Sequence, residues 1–351
     1  MVANTWKPSA RIRKPAELMK PVIDPAGWYP DDFTGREDWI YRLSTEEIAE
    51  IEDAVETVEA KGLRLMDIDR AVFPLPRLAA GLKDVQAELM EGRGFALIRG
   101  LPLEGRSRAW IASAFWGLGT HIGKAVSQNG KGHLLGHVKD LGEDYSKVRG
   151  YMTHALMDFH TDRADVLSLC CLHPAKSGGH HRICSSVTVY NEMLKRRPDL
   201  ARELDFSFYK SRSGEIPVGE TEPWTRTPAV SVEKGYFSAR GVNAGVRKAQ
   251  SIPGVPKMTD AQVEAIKLYK DLARELYIDI EFQVGDISYV QNYVTKHSRT
   301  EFEDWPEPER KRHLLRLWLN NGLRPLAKEV QDEIRGVIVP GTILQTPLEV
   351  A

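Results

Sequence analysis

The order of elements predicts a mainly β chain with flanking helices, an α+β fold built around an antiparallel barrel. Two observations carry this. Segments of helical period come first and strand-like segments follow, whereas a parallel α/β fold would alternate them. The residues fit for one site, His160, Asp162 and His297, also fall on both sides of a long insert, which asks for one domain rather than two. The expected organisation is an arm over residues 1–40, a single domain over 41–325 with an insert at about 206–280, and a tail over 326–351 that is peripheral.

Each element has its local reason. In the arm, Trp28 and Tyr29 before Pro30 read as a strap on the domain surface, and Arg11, Arg13 and Lys14 as a solvated face. Ser44 and Glu47 form a capping box ahead of Ile48, Ile51, Val55 and Val58, which predicts a helix to Lys61. Leu78 to Glu91 is a second helix stopped by Gly92 and Gly94, and Ser107 to Leu118 a third. Between them Phe95 to Arg99 reads as a buried strand. Residues 119–150, rich in Gly, His and Lys, read as short strands and mobile loops, with His133 and His137 as surface or loop histidines. Val166 to Leu172 is a buried strand, Ile183 to Val189 is β-rich, and a helix from Val189 breaks near Pro198. Short strands fill 206–257, and Met258 to Leu276 is a helix capped by Thr259. Strands resume around the Gly285-Asp286 turn, with Tyr289 to His297 as one run, and His313 to Leu319 is the last strand.

Bulk composition excludes some classes of function. The 48 basic and 49 acidic residues nearly cancel, which argues against a nucleic-acid or membrane-surface binder. No apolar run is long enough to span a bilayer. Cys170, Cys171 and Cys184 form no metal-binding or redox spacing and read as buried thiols, so the expected location is cytoplasmic.

His160 and Asp162 stand at i and i+2, which puts both on one face of a strand. One imidazole and one carboxylate make two thirds of a facial site for non-haem Fe(II), with positions left open for O2 and a co-substrate. His297 is the candidate third ligand if its strand neighbours theirs. A co-substrate such as 2-oxoglutarate needs a cation for its far carboxylate, and arginine offers a planar fork. Arg312 and Arg316, at i and i+4, share one face of the last strand, opposite Leu315, Leu317 and Leu319. A buried arginine left unpaired costs about 3–5 kcal/mol, which argues for a bound carboxylate.

These residues do not stand alone. Phe159-His160-Thr161-Asp162, then the run Pro174 to Gly179, then Asn292-Tyr293-Val294 and His297 to Asp304, then Arg312 to Trp318 occur in order. Together they resemble the taurine/2,4-D dioxygenase (TauD/TfdA) family, the clavaminate-synthase-like branch of the Fe(II)/2-oxoglutarate oxygenases, over roughly residues 90 to 322. The resemblance implies a double-stranded β-helix (jelly-roll, cupin-like) core. It also implies Fe(II), 2-oxoglutarate and O2 as cofactor and co-substrates, and oxidation, most simply hydroxylation, of a small organic substrate. By position, His160, Asp162 and His297 match the metal triad, Arg312 the 2-oxoglutarate anchor, and Arg316 a contact to an acidic group of the substrate or to the co-substrate. Asn292 matches a polar position on the strand before the distal histidine.

The chain departs from the family pattern after Gly178-Gly179, where His180 and His181 replace an acidic residue and a hydroxyl. The His181 ring is the expected replacement contact to the co-substrate. Two other readings use the same ligands: a metal- or ligand-sensing barrel without turnover, and a Zn hydrolase, which would have no use for Arg312. His154 and His173 read as core or supporting residues, and Tyr151 and Thr153 as candidates for the pocket wall. The expected partner is a small molecule, with an acidic group by analogy with the family. Nucleic acid and membrane are not expected partners, and homo-oligomerisation is left open.

Overall fold

The computed structural model describes residues 4–142, 150–242, 244–333, 336–337 and 339–350. Residues 143–149, part of the stretch read as strands and mobile loops, lie outside the described residues.

Two sheets face each other. The larger runs in the order β1 (Ile40–Arg42), β2 (Phe95–Arg99), β14 (Ile287–Gln291), β6 (Val166–His173), β17 (His313–Asn320) and β3 (Lys124–Ala125), with β4 (Leu135–Val138) also paired to β17. The smaller runs β13 (Tyr277–Ile280), β8 (His181–Ser185), β15 (Thr295–Arg299) and β5 (Met157–His160). Three two-stranded ribbons stand outside them: β7 (Ser177–Gly178) with β16 (Phe302–Glu303), β9 (Ser207–Ser211) with β10 (Trp224–Pro228), and β11 (Val230–Glu233) with β12 (Tyr236–Ala239).

The apolar run in β6 is continuous because both its faces are covered. Leu167, Leu169 and Cys171 point between the sheets and meet Ile183, Val290, Leu314 and Trp318. Val166, Cys170 and Leu172 point outward, onto α1 (Thr45–Ala60), α2 (Leu78–Glu91) and α3 (Arg108–Thr120). Leu315, Leu317 and Leu319 of β17 join that outer layer, as the sequence predicts. Behind the smaller sheet lie α4 (Ser186–Arg196), α5 (Pro198–Glu203) and α7 (Asp260–Glu275), with Tyr190, Tyr269 and Leu272 in their core. A short α6 (Ala244–Ala249) and α8 (Lys328–Glu333) complete the helices among the described residues.

Helix starts follow their caps. Ser44 and Glu47 exchange side-chain and backbone bonds at 2.8 and 3.2 Å, and Thr259 and Gln262 do the same ahead of α7. Capping also explains one difference from expectation. Val187, Thr188 and Val189 have strand propensity, but Ser185 accepts the Thr188 N–H at 2.9 Å and starts α4 there.

A second difference concerns Tyr289 to His297. The run breaks at Asn292–Val294 because the chain leaves one sheet as β14 and enters the other as β15. The tail is also not peripheral. Leu326 and Val330 pack on Tyr293, and Gln345 bonds back to Gly132. In the arm, Trp28 is buried against Phe33 and Phe95, and Arg13 pairs with Asp24 and Glu91 rather than facing solvent.

The Gly285-Asp286 turn is fixed from both sides. Gly285 has φ of 85°, and a side chain there would strike the Leu101 carbonyl. The fully buried Asp286 accepts from Arg99 Nε and Nη2 at 2.9 and 2.7 Å and from the Gln283 N–H at 2.8 Å. Replacing Asp286 by Ala strands the Arg99 charge. It is expected to lower the unfolding free energy by about 3 kcal/mol, read as a shift of the urea midpoint.

Candidate active site

The site forms where the two sheets face each other. β15 lies between β8 and β5, and its antiparallel register sets His297 directly across from His160. Their rings are 4.2 Å apart. His160 ends β5, and Asp162 sits in the following turn, so the strand-face argument reaches only the first of them. Asp162 Oδ1 lies 3.9 Å from His160 Nε2, and its Oδ2 lies 3.6 Å from His297 Nε2. All three ligand atoms fall within 4.8 Å of one another.

Neighbouring groups set the donor atoms. His160 Nδ1 is 2.9 Å from the Asp158 carbonyl, which can only accept, so Nδ1 carries the proton and Nε2 presents a lone pair. Burial holds His297 well below its usual pKa, so it is neutral, the form that binds metal. The Trp318 indole donates to Asp162 Oδ2 at 2.8 Å and fixes the orientation of the carboxylate. A divalent ion about 2.0–2.2 Å from each donor fits these separations, and N,O donors of this kind suit Fe(II).

Arg312 is buried beside this group. Its backbone N–H goes to Asp304 at 2.6 Å, while among the described residues its guanidinium meets the Gly179 carbonyl, at 3.3 Å, and the Phe302 ring. Nη1 has no partner, and no carboxylate pairs with the guanidinium among the described residues. Burial lowers its pKa to about 10, so it is still charged at neutral pH. Gly179 has φ of 69°, and a Cβ there would lie 2.9 Å from Arg312 Nε.

Arg316 faces the same pocket, with Gln128 Oε1 2.6 Å from its Nε and the Tyr151 ring 4.5 Å away. Tyr151 is thus on the pocket wall, whereas Thr153 turns to the Gly150 carbonyl. Gln128, fully buried, was not legible in the sequence, because nothing in its Gly- and Lys-rich surroundings marks it. The role of Trp318 was likewise not legible.

His181 lines the pocket, stacked on Phe282 at 5.3 Å, and Arg299 stands beside it. Burial, and after it the nearby Arg312 charge, push the His181 pKa down to about 3. Its Nε2 has no partner among the described residues. His180 does not line this pocket but an adjoining cleft with Pro174 and Glu281, which shares Arg312 and Leu314 with it. Asn292 is also outside it. Its Oδ1 accepts the Asp162 N–H at 2.9 Å and its Nδ2 donates to the Ala164 carbonyl at 3.0 Å, so it braces the ligand turn from behind. His154 and His173 are exposed, contrary to expectation, and, like the buried His133, His137 is not a surface residue. It is buried on β4 against His313, with ring nitrogens 2.8 Å apart.

The match to known families is extensive. The model of the family described as "Taurine catabolism dioxygenase TauD, TfdA family" matches residues 59–318. The chain belongs to the TauD/TfdA family. This TauD/TfdA oxygenase is 31% identical over 314 residues to FR-33289 synthase of Streptomyces rubellomurinus, covering 86% of the chain and 91% of that protein. It is 29% identical over 340 residues to the taurine hydroxylase-like protein SAT17 of Stachybotrys chartarum, covering 93% and 84%. Among solved structures it is similar to asparagine oxygenase bound to Fe(II), 3-hydroxyasparagine and succinate, with TM-score 0.63, 15% identity, and 80% and 93% of the two chains covered. It is also similar to the non-haem iron oxygenase OrfP bound to Fe and α-ketoglutaric acid, with TM-score 0.60, 16% identity, and 86% and 99% covered. These confirm the double-stranded β-helix fold and the dioxygenase class that the motif order implied. No helix among the described residues is long and apolar enough to cross a membrane.

The buried histidines give the metal-free protein a definite pH response. His181, His297 and His313 all have folded pKa values far below the usual 6.5, so unfolding takes up protons once the pH falls below that value. Their stabilising contribution is complete above about pH 6.5. It is lost as the pH falls toward about 3 for His181, at roughly 1.4 kcal/mol per pH unit per histidine. Urea unfolding at about pH 7, 6 and 5 is expected to show this slope, and His181→Asn to remove one histidine's share.

Proposed function

We propose that His160, Asp162 and His297 hold Fe(II), and that Arg312 receives the far carboxylate of 2-oxoglutarate in an oxidation of a small organic substrate. The observation that carries this is the Arg312 guanidinium, charged and buried beside the triad with no carboxylate of the described residues paired to it. Such a group needs an anion, and the co-substrate supplies one of suitable length and charge. A Zn hydrolase on the same ligands would leave that charge without purpose.

When bound, the iron with 2-oxoglutarate and O2 supplies the oxidising chemistry, which releases succinate and CO2. The chain's own residues do the positioning. Three ligands on one side leave the opposite side of the ion open. Leu167, Leu169 and Leu314 wall the pocket with apolar surface and limit water. The His181 ring, neutral and without a partner for Nε2, takes the co-substrate contact that a hydroxyl makes elsewhere in the family. Arg316 and Tyr151 flank the open side, which favours a substrate with an acidic group; Arg316 binds that group or the co-substrate. Asn292 serves the site through the Asp162 backbone.

We take residues 41–325 as the catalytic unit, strapped by the arm and the tail. The three cysteines are buried and free, which suits a reducing cytoplasm.

Succinate formation from 2-oxoglutarate and O2, after anaerobic loading with Fe(II), tests the reading. Wild type is expected to turn over slowly even without its own substrate, and Asp162→Ala to be silent. Arg312→Ala is expected to weaken 2-oxoglutarate binding by about 2–5 kcal/mol, roughly 30-fold or more. Binding of 2-oxoglutarate to the Fe(II) protein that is indifferent to Arg312→Ala would sink the assignment.

A further inference from the structure

The turn that carries Asp162 is held largely by chain outside the two sheets. Arg240, just past β12 in the insert, donates from Nη1 to the Asp162 carbonyl at 2.9 Å. The next residue, Gly241, donates its N–H to Thr161 Oγ1 at 3.0 Å, and a Cβ there would come within 2.9 Å of the Thr161 nitrogen. Gly336, in the tail, donates its N–H to the Arg163 carbonyl at 3.2 Å. Arg240 is itself held from the tail. Glu333, at the end of α8, lies with Oε2 3.3 Å from Arg240 Nε, 3.3 Å from Lys210 Nζ and 3.2 Å from Thr227 Oγ1. Lys210, Arg240 and Glu333 are all nearly inaccessible to solvent.

We infer that Glu333 of the C-terminal segment is a positioning residue for the metal ligand Asp162, acting through Arg240. This rests on the reading of His160, Asp162 and His297 as a metal site. A balanced charge lowers the cost of burying the Arg240 guanidinium against a backbone carbonyl, and the balancing carboxylate comes from the tail. Lys210 shares that carboxylate but touches no part of the ligand turn in the contacts described, so it separates general stability from positioning.

The test is a titration of the full-length metal-free protein with Co(II) under anaerobic conditions, read by its visible absorption bands. Glu333→Gln is expected to weaken Co(II) binding at least fivefold and to change the band shape. Lys210→Met is expected to lower the thermal midpoint while leaving Co(II) affinity and bands as in wild type. The inference is overturned if Glu333→Gln binds Co(II) like wild type, or if Lys210→Met weakens binding to the same extent. Wild type that fails to bind Co(II) at all would instead remove the metal-site reading beneath it.

Discussion

The register of one strand governs this site. β15 is bonded on one side to β8 and on the other to β5, and both ladders agree on where His297 sits. A slip by one residue would turn His297 to the far face and bring Lys296 or Ser298 to the pocket. The double pairing holds His297 across from His160. Trp318 then ties the opposing sheet to the same point through the Asp162 carboxylate. The two histidines are therefore placed by sheet geometry, while Asp162 is placed by the segment that follows β5 and its braces from the insert and the tail.

The pairing of buried charges separates structural from functional groups. Glu88 and Arg93 bond to each other, as do Arg99 and Asp286, and Glu333 meets Arg240 and Lys210. Each removes a charge from water and balances it within the fold. Arg312 and Lys296 depart from this, buried as deeply without a carboxylate partner among the described residues; burial lowers the Lys296 pKa to about 7 over the Tyr269 ring, whereas Arg312 stays charged. An imbalance of this kind is costly to folding, and it sits at the pocket.

What could be read from the sequence was local chemistry. The capping box at Ser44 and the N-cap at Thr259 marked where two helices begin, and Gly92 marked the end of α2. The spacing of His160, Asp162, His297, Arg312 and Arg316 picked out residues that the fold brings to one pocket. Apart from the local Ser185 cap that turns residues 187–189 into helix, the main misses depend on contacts distant in sequence. The break at Asn292–Val294 exists because the chain changes sheets, which an uninterrupted strand-like pattern does not reveal. His137 is buried because His313 and the Pro347 carbonyl meet its ring from β17 and the tail. Gln128 matters because it reaches Arg316, which is 188 positions away. In the tail, read as peripheral, Glu333 meets two buried cations from the insert.

The strand that bears His160 also ends its sheet. An edge strand leaves one row of backbone donors and acceptors unpaired by its own sheet, which is a template for another chain to extend. Here the edge is four residues long, and Asp158 at its second position is paired with Arg274 of α7 at 2.7 Å. Shortness and charge are the usual protections against edge-to-edge aggregation. The same aspartate lends its carbonyl to His160 Nδ1. One residue thus guards the sheet edge with its side chain and sets the tautomer of a ligand with its backbone, so exchanging Asp158 for an apolar residue would expose the edge to self-association and leave the His160 tautomer in place.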